Sequence, residues 1–238
     1  GLFLAAFVTF QIQGVYFRDS PEVAWRYVFL FGLVPAAVAF FVRLFVKEPE
    51  RWTRVVKTTT PAKIQELFTR SHRRATFSGL GMAVIALLTW WSCNAFIPTI
   101  TVGLARQAAE RMPGTDPALL GEQWKAIGTN AFNLGGLIGT LLTVPAAKIL
   151  GRRKMFATYF IASAVSIMLV FGMPFDPYVK LYMYFPMGLA VFGVFGAFTY
   201  YLPELFPTRL RATGSGFTYN AGRVIAAAGP FVVGSIAA

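Results

Sequence analysis

Apolar residues gather in long continuous runs separated by short polar breaks, with no sustained alternation of apolar and polar positions. The runs cover approximately residues 1–17, 24–46, 77–104, 126–149, 154–173, 178–203 and 213–238. Crossing the ~30 Å hydrocarbon core of a bilayer takes about 20 helical residues. Only a helix satisfies every backbone N–H and C=O in lipid over that length. The pattern predicts an all-α, polytopic membrane protein with about seven transmembrane helices. The first run opens without Met or a flanking loop, and the last stops in mid-run at Ala237-Ala238, so both ends read as truncations. Residues 1–17 do not read as a signal peptide, having neither a basic start nor a cleavage site.

Composition supports this picture. Hydrophobic residues make up 56% and charged residues 13%, against about 25% charged in soluble domains. A net charge of +12 would suit a nucleic-acid partner, but its distribution has a better explanation. Of 22 Lys and Arg, nine lie from Arg43 to Arg74, four in the loop 148–154, and two more are Arg209 and Arg211. The alternate loops hold only Arg18, Arg26, Arg106, Arg111, Lys125 and Lys180. That alternation is the positive-inside signature. It places loops 48–76, 150–154 and 204–212 in the cytoplasm and sets the nucleic-acid reading aside. Cys93 is the one cysteine and His72 the one histidine, which leaves no disulfide framework and no thiol or imidazole metal cluster; no cofactor is implied.

Polar groups inside the runs carry the candidate chemistry. Arg223 sits nine to twelve residues into its run, too deep to snorkel easily, and a charge there costs at least ~2.5 kcal/mol on insertion scales. It should face protein or a water-filled cavity, where it suits an anionic substrate group; the alternative is a structural Arg bonded to carbonyls. Tyr219 and Asn220 lie a turn away, and Asn220 shares a helical face with Arg223 at i,i+3. Such a pair would bind an anion as guanidinium groups do well. Trp90, Trp91 and Asn94 fall near the middle of the 77–104 run, whereas membrane tryptophans favour the interfaces; they read as cavity lining. Asn130 and Asn133 mark one face of the next run, for a substrate or for interhelical hydrogen bonds. Gln11 and Gln13 cannot both face a cavity. Gly135, Gly136, Gly139, Gly188, Gly193 and Gly196 read as packing devices. Between runs, Thr60-Pro61 opens a possible amphipathic helix, Ala62–Arg70, which could lie on anionic lipid or be part of a solvated linker.

Four segments together resemble the major facilitator superfamily, in its sugar-porter and metabolite:proton symporter branches. Pro203 to Gly214 reads P-E-x-x-P-T-x-x-R-x-x-G. Trp25 to Trp52 resembles the sixth helix and its exit, with Glu48-Pro49-Glu50-Arg51-Trp52 in place of an E-S-P-R-W motif and no serine. Gly151 to Phe156, GRRKMF, resembles the loop joining helices eight and nine, and Thr89 to Thr99 resembles helix seven of the symporters. The resemblance implies a partial bundle running from helix five to helix eleven. Residues 1–47 would end an N-terminal bundle, 48–76 would be the central linker, and 77–238 would form most of the C-terminal bundle. It also implies an inner gate at the cytoplasmic ends, built here from Glu204, Arg152, Arg153, Arg209 and Arg211. Lys148 stands where the family usually has an acid, so the residual pair is Glu204 with Arg152 or Arg153.

The expected function is a secondary transporter of the inner membrane, working by alternating access on a small organic anion. Proton symport is implied by the resemblance alone. A sugar porter with a neutral substrate is the second reading. A retinal protein would need a Lys in the last run, and none is there. Metalloprotease, nucleophile-elbow and phosphate-loop motifs are absent from the sequence, so an enzyme is not expected.

Overall fold

The structure, a computed structural model, describes residues 7–17, 20–46 and 60–237. Arg18, the Glu48-Pro49-Glu50-Arg51-Trp52 segment and the side chain of Gln13 lie outside this description. All regular structure among the described residues is helical. The chain divides into two units, 1–61 and 62–238.

In the first unit a π-helical stretch, Phe10–Tyr16, precedes helices α1 (Pro21–Phe31) and α2 (Leu33–Phe45). Phe17 stacks on Tyr27 with ring centroids 4.5 Å apart. Helix α2 buries none of its residues, and Phe40, Phe41, Leu44 and Phe45 are exposed. Unpartnered apolar faces of this length suit lipid as solvent.

The second unit contains α3 (Arg73–Ala109), α4 (Pro117–Leu150), α5 (Arg152–Gly172), α6 (Pro177–Val191), α7 (Phe195–Glu204), α8 (Arg211–Ala226) and α9 (Gly229–Ala237). Two of these begin at an Asp-Pro step. Asp116 accepts from the Ala118 amide at 2.8 Å and Asp176 from the Tyr178 amide at 2.9 Å. Proline at the first helical position forgoes an amide that would be unpaired there anyway. Gly151, with φ of 77°, makes the reversal between α4 and α5, a conformation that side chains with a Cβ resist.

The α4–α6 contact organises the unit. A Cβ on Gly135 would strike the Phe185 carbonyl, one on Gly139 the Leu189 carbonyl, and one on Gly188 the Phe132 carbonyl. The two backbones therefore touch directly, as small residues permit in membrane helices. Around that seam Ile97 and Leu104 of α3, Trp124 and Phe132 of α4, and Leu181, Tyr184 and Met187 of α6 form a buried cluster.

Among the described residues, five stretches are long and apolar enough to cross a membrane: 22–45, 73–109, 117–150, 152–172 and 177–204. The first sequence run lies partly outside the described residues. The last one divides at Ala227 and Ala228, because Pro230 has no amide to donate and restricts the residue before it. The 178–203 run is also interrupted. Between Phe192 and Val194 the helix tightens, with the Phe195 amide reaching the Phe192 carbonyl at 3.1 Å. Gly193 presses on Gly139 at that point.

Helix α3 fixes the scale. Its 37 residues span about 56 Å at ~1.5 Å per residue. Arg74 and Arg106 stand about 48 Å apart along it by the same rise, close to the ~40–45 Å of a bilayer with its headgroups. Trp90 is midway between them, at the depth of the bilayer centre.

Gly139→Leu should force α4 from α6 and cost about 3 kcal/mol, the upper end for overpacking. Thermal unfolding in detergent should show Tm lower by roughly 5–10 °C. Gly81→Ala, where an added Cβ meets nothing within 4 Å, should leave Tm unchanged; equal losses in both would refute the backbone contact.

Candidate functional site

Arg211 begins α8 at the end of the unit that also carries Arg152 and Glu204, and Arg223 lies twelve residues further on. At ~1.5 Å per residue that is about 18 Å, again near the bilayer centre. Arg223 is exposed and forms no ion pair among the described residues. It lines a cleft of about 480 Å³ with Trp91, Val224, Ala227 and Pro230.

A second cleft, of about 370 Å³, lies on the α7 side of α8. Thr199, Ser215, Gly216, Tyr219 and Asn220 line it together with Phe195 and Phe198. Asn220 and Arg223, expected to share one anion site, thus line different clefts; the Asn220 amide donates to the Gly216 carbonyl at 2.9 Å. One turn of helix separates them, but α7 packs against one flank of α8 and α3 against the other, so their i,i+3 spacing does not converge on one ligand.

Trp90 packs between the clefts. Its ring centroid lies 4.9 Å from that of Trp91, 5.5 Å from Phe192 and 6.0 Å from Phe195. Tyr219 sits edge-on to Phe198 at 6.4 Å. Trp91 is therefore a lining residue, whereas Trp90 is mostly wall. Asn94 donates to the Trp90 carbonyl at 3.1 Å. Asn130 is exposed on α4. Asn133 is half-buried, and its Oδ1, like Trp90 Nε1, is shielded and makes no hydrogen bond among the described residues. Neither asparagine lines either of the two clefts. Gln11 is half-buried in the first unit.

At the other end of α7, Arg152 grips Glu204. Its Nη2 donates to Oε1 at 2.7 Å and Nη1 faces Oε2, a two-pronged pairing that favours guanidinium over ammonium. Arg153 is exposed with no ion pair among the described residues. Arg211 Nε donates to the Phe206 carbonyl at 3.3 Å.

Arg209 has a partner that sequence reasoning missed. Its Nη1 donates to Glu66 Oε1 at 3.2 Å and its Nη2 pairs with Oε2. The expected Ala62–Arg70 helix is instead a five-residue 3₁₀ turn, Ile64–Phe68. Glu66 Oε1 accepts the Lys63 amide at 3.0 Å, which closes the turn. Leu67 is buried against Phe206 and Leu210, and its carbonyl accepts from Thr76 Oγ1 at 2.7 Å. Leu67 and Glu66 thus pin this turn to the protein, while Ile64, Gln65 and Phe68 stay exposed. The Arg209 guanidinium, and then the Lys63 amide, hold the Glu66 carboxyl below its usual range, and Glu66 raises Arg209 in return. The signal in the sequence was slight: Glu66 and Leu67 are an acid and an apolar residue inside a basic insert.

Helices that bury backbone against backbone, expose apolar faces and are bracketed by arginines define a multi-pass membrane protein. Residues 1–230 match the Major Facilitator Superfamily, and the chain belongs to that superfamily. It is 26% identical over 219 residues to a probable 4-methylmuconolactone transporter of Cupriavidus pinatubonensis, covering 90% of this chain and 47% of that protein. It is 28% identical to the cis,cis-muconate transport protein of Acinetobacter baylyi, covering 91% of this chain and 51% of the relative. With the major myo-inositol transporter of Bacillus subtilis it shares 27% identity, covering 90% and 51%. The chain spans about half the length of these relatives. No solved structure matches.

A group whose pKa is lowered by folding stabilises above its unfolded pKa and stops doing so as pH falls through the lowered value. A spin label at Ser71→Cys should stay immobile from neutral pH to about pH 4.3, the ordinary glutamate value, and loosen only below it. In Glu66→Gln it should be mobile throughout. Loosening of the unsubstituted protein above that pH would contradict the assignment.

Proposed function

We propose that this chain is part of a secondary transporter that carries a small organic anion across the inner membrane by alternating access. One observation carries the reading: Arg223, at the depth of the bilayer centre and without an ion-pair partner among the described residues, lines a cleft with Trp91. A guanidinium held there matches a carboxylate better than a neutral ligand. The names of the muconate and muconolactone relatives agree with an organic-acid substrate. Residues 1–47 belong in this reading to the end of an N-terminal bundle, 48–76 to the linker and 77–238 to the C-terminal bundle. The loops 48–76, 150–154 and 204–212 are cytoplasmic, where Arg152 and Glu204 close an inner gate. Proton symport follows from the family resemblance.

The second reading, a sugar porter, draws on the other cleft. Thr199, Ser215, Tyr219 and Asn220 offer hydroxyl and amide groups to a neutral polyol, and a myo-inositol transporter is among the relatives.

Uptake by cells expressing the full-length protein separates the two. Labelled cis,cis-muconate should accumulate, a protonophore should abolish accumulation, and Arg223→Gln should reduce it about tenfold or more, the value of one charged hydrogen bond. Uptake of myo-inositol that survives Arg223→Gln would sink the anion reading and return that arginine to a structural role.

A further inference from the structure

At the end of the unit opposite Arg152 and Glu204, the α3–α4 flank carries a third cleft, of about 400 Å³. It is lined by Pro98, Thr99, Val102 and Gly103 of α3, with Arg106 from the same helix and Lys125 from α4. Arg106 is exposed and forms no ion pair among the described residues; Glu110, the acid one turn on, is not bound to it. Lys125 meets Glu122 at 2.5 Å, but both are solvent-exposed, and surface pairs of this kind hold weakly. The other cation nearby, Arg111, is turned away to Asp176 at 2.8 Å. Two cations from two helices thus share one partly apolar cleft with the Thr99 hydroxyl, a chemistry suited to a carboxylate with a short hydrocarbon body.

The position of this cleft is as informative as its lining. Trp91, Ala95, Pro98, Val102 and Arg106 recur at helical spacing along one face of α3. From Trp91 to Arg106 is fifteen residues, about 22 Å of helix. At that separation a small carboxylate held at one station leaves the other free to be filled. We infer that the Arg106–Lys125 cleft is an outer receiving site for organic carboxylates, from which they pass along this face of α3 to Trp91 and Arg223. The transport role rests on the anion reading above; binding in the cleft can be tested separately.

Gly103 gives the probe. A Cβ there meets nothing within 4 Å, and the native Cys93 is buried. Gly103→Cys in the full-length protein, in vesicles of zwitterionic lipid and in a parallel set containing anionic lipid, would be modified with an anionic and with a cationic methanethiosulfonate. The anionic reagent should be favoured, and Arg106→Gln with Lys125→Gln should lower the anionic-to-cationic rate ratio about fivefold, as expected for two charges within several ångströms in high dielectric. Adipate, a six-carbon dicarboxylate, should slow modification, and high salt should remove its effect. Thr99→Cys, exposed in the same cleft, repeats the test should Gly103→Cys misfold. A rate ratio untouched by the double substitution, or no protection by adipate, overturns the site. Protection by anionic lipid but not by adipate overturns it too and assigns the cleft to lipid headgroups. Uptake of a neutral sugar together with adipate protection leaves the cleft standing and removes the Arg223 reading; uptake of an acid without protection does the reverse.

Discussion

Direct contact between the backbones of α4 and α6 is the constraint on which the second unit depends. Lipid offers no hydrophobic drive for two apolar helices to associate, so close packing must supply it. Gly135, Gly139, Gly188 and Gly193 let carbonyls sit where side chains would otherwise stand. With that seam closed, α3 has a fixed wall to pack against through Ile97 and Leu104. Helix α5 then seals the other side with Met155, Phe156 and Tyr159 against Ala197 and Phe198. The Tyr159 hydroxyl donates to the Gly139 carbonyl at 2.7 Å, which ties α5 to the seam itself.

The same seam shapes the clefts. Where Gly193 meets Gly139 the long α6–α7 run tightens for one turn, and Phe192 and Phe195 emerge from that turn to hold Trp90. Trp90 cannot also be a free lining residue, so Trp91 is the one that shares a cleft with Arg223. At the far end of α7 the polypeptide turns through Pro203 and Pro207, and four of the charges there join in two separate ion pairs. Arg152 with Glu204 joins α5 to α7. Arg209 with Glu66 joins the loop before α8 to the segment before α3. Both pairs bring together charges far apart in sequence.

Most of the helical layout was legible because it is written locally. The apolar runs 77–104, 154–173 and 178–203 overlie α3, α5 and α6 with α7, whereas the run 126–149 begins nine residues after α4 does, because the Asp116-Pro117 step that opens α4 lies outside it. What failed otherwise was non-local. The turn at 192–194 answers to a glycine on another helix. The 3₁₀ turn at Ile64–Phe68 replaces a longer helix because Leu67 is drawn into a pocket formed by Phe206 and Leu210. Glu66 could not be paired with Arg209 from spacing when 143 residues separate them. Asn220 and Arg223 were rightly seen as near neighbours on α8, but which neighbour each faces is decided by α3 and α7. The Arg152–Glu204 contact was anticipated from the resemblance, and its geometry is present; the role of that contact is a matter of function.

The depth of Arg223 has an electrical consequence. Moving one elementary charge through a membrane potential costs about 2.3 kcal/mol per 100 mV, and a cation half-way across senses about half of that field. A monovalent carboxylate seated on Arg223 would leave the site with no net charge, so voltage would act on the empty site and barely on the loaded one. On the reading proposed above, and for an anion that crosses without a proton, the step that resets the empty protein, rather than the step that carries cargo, is the one that a cell's resting potential speeds or slows.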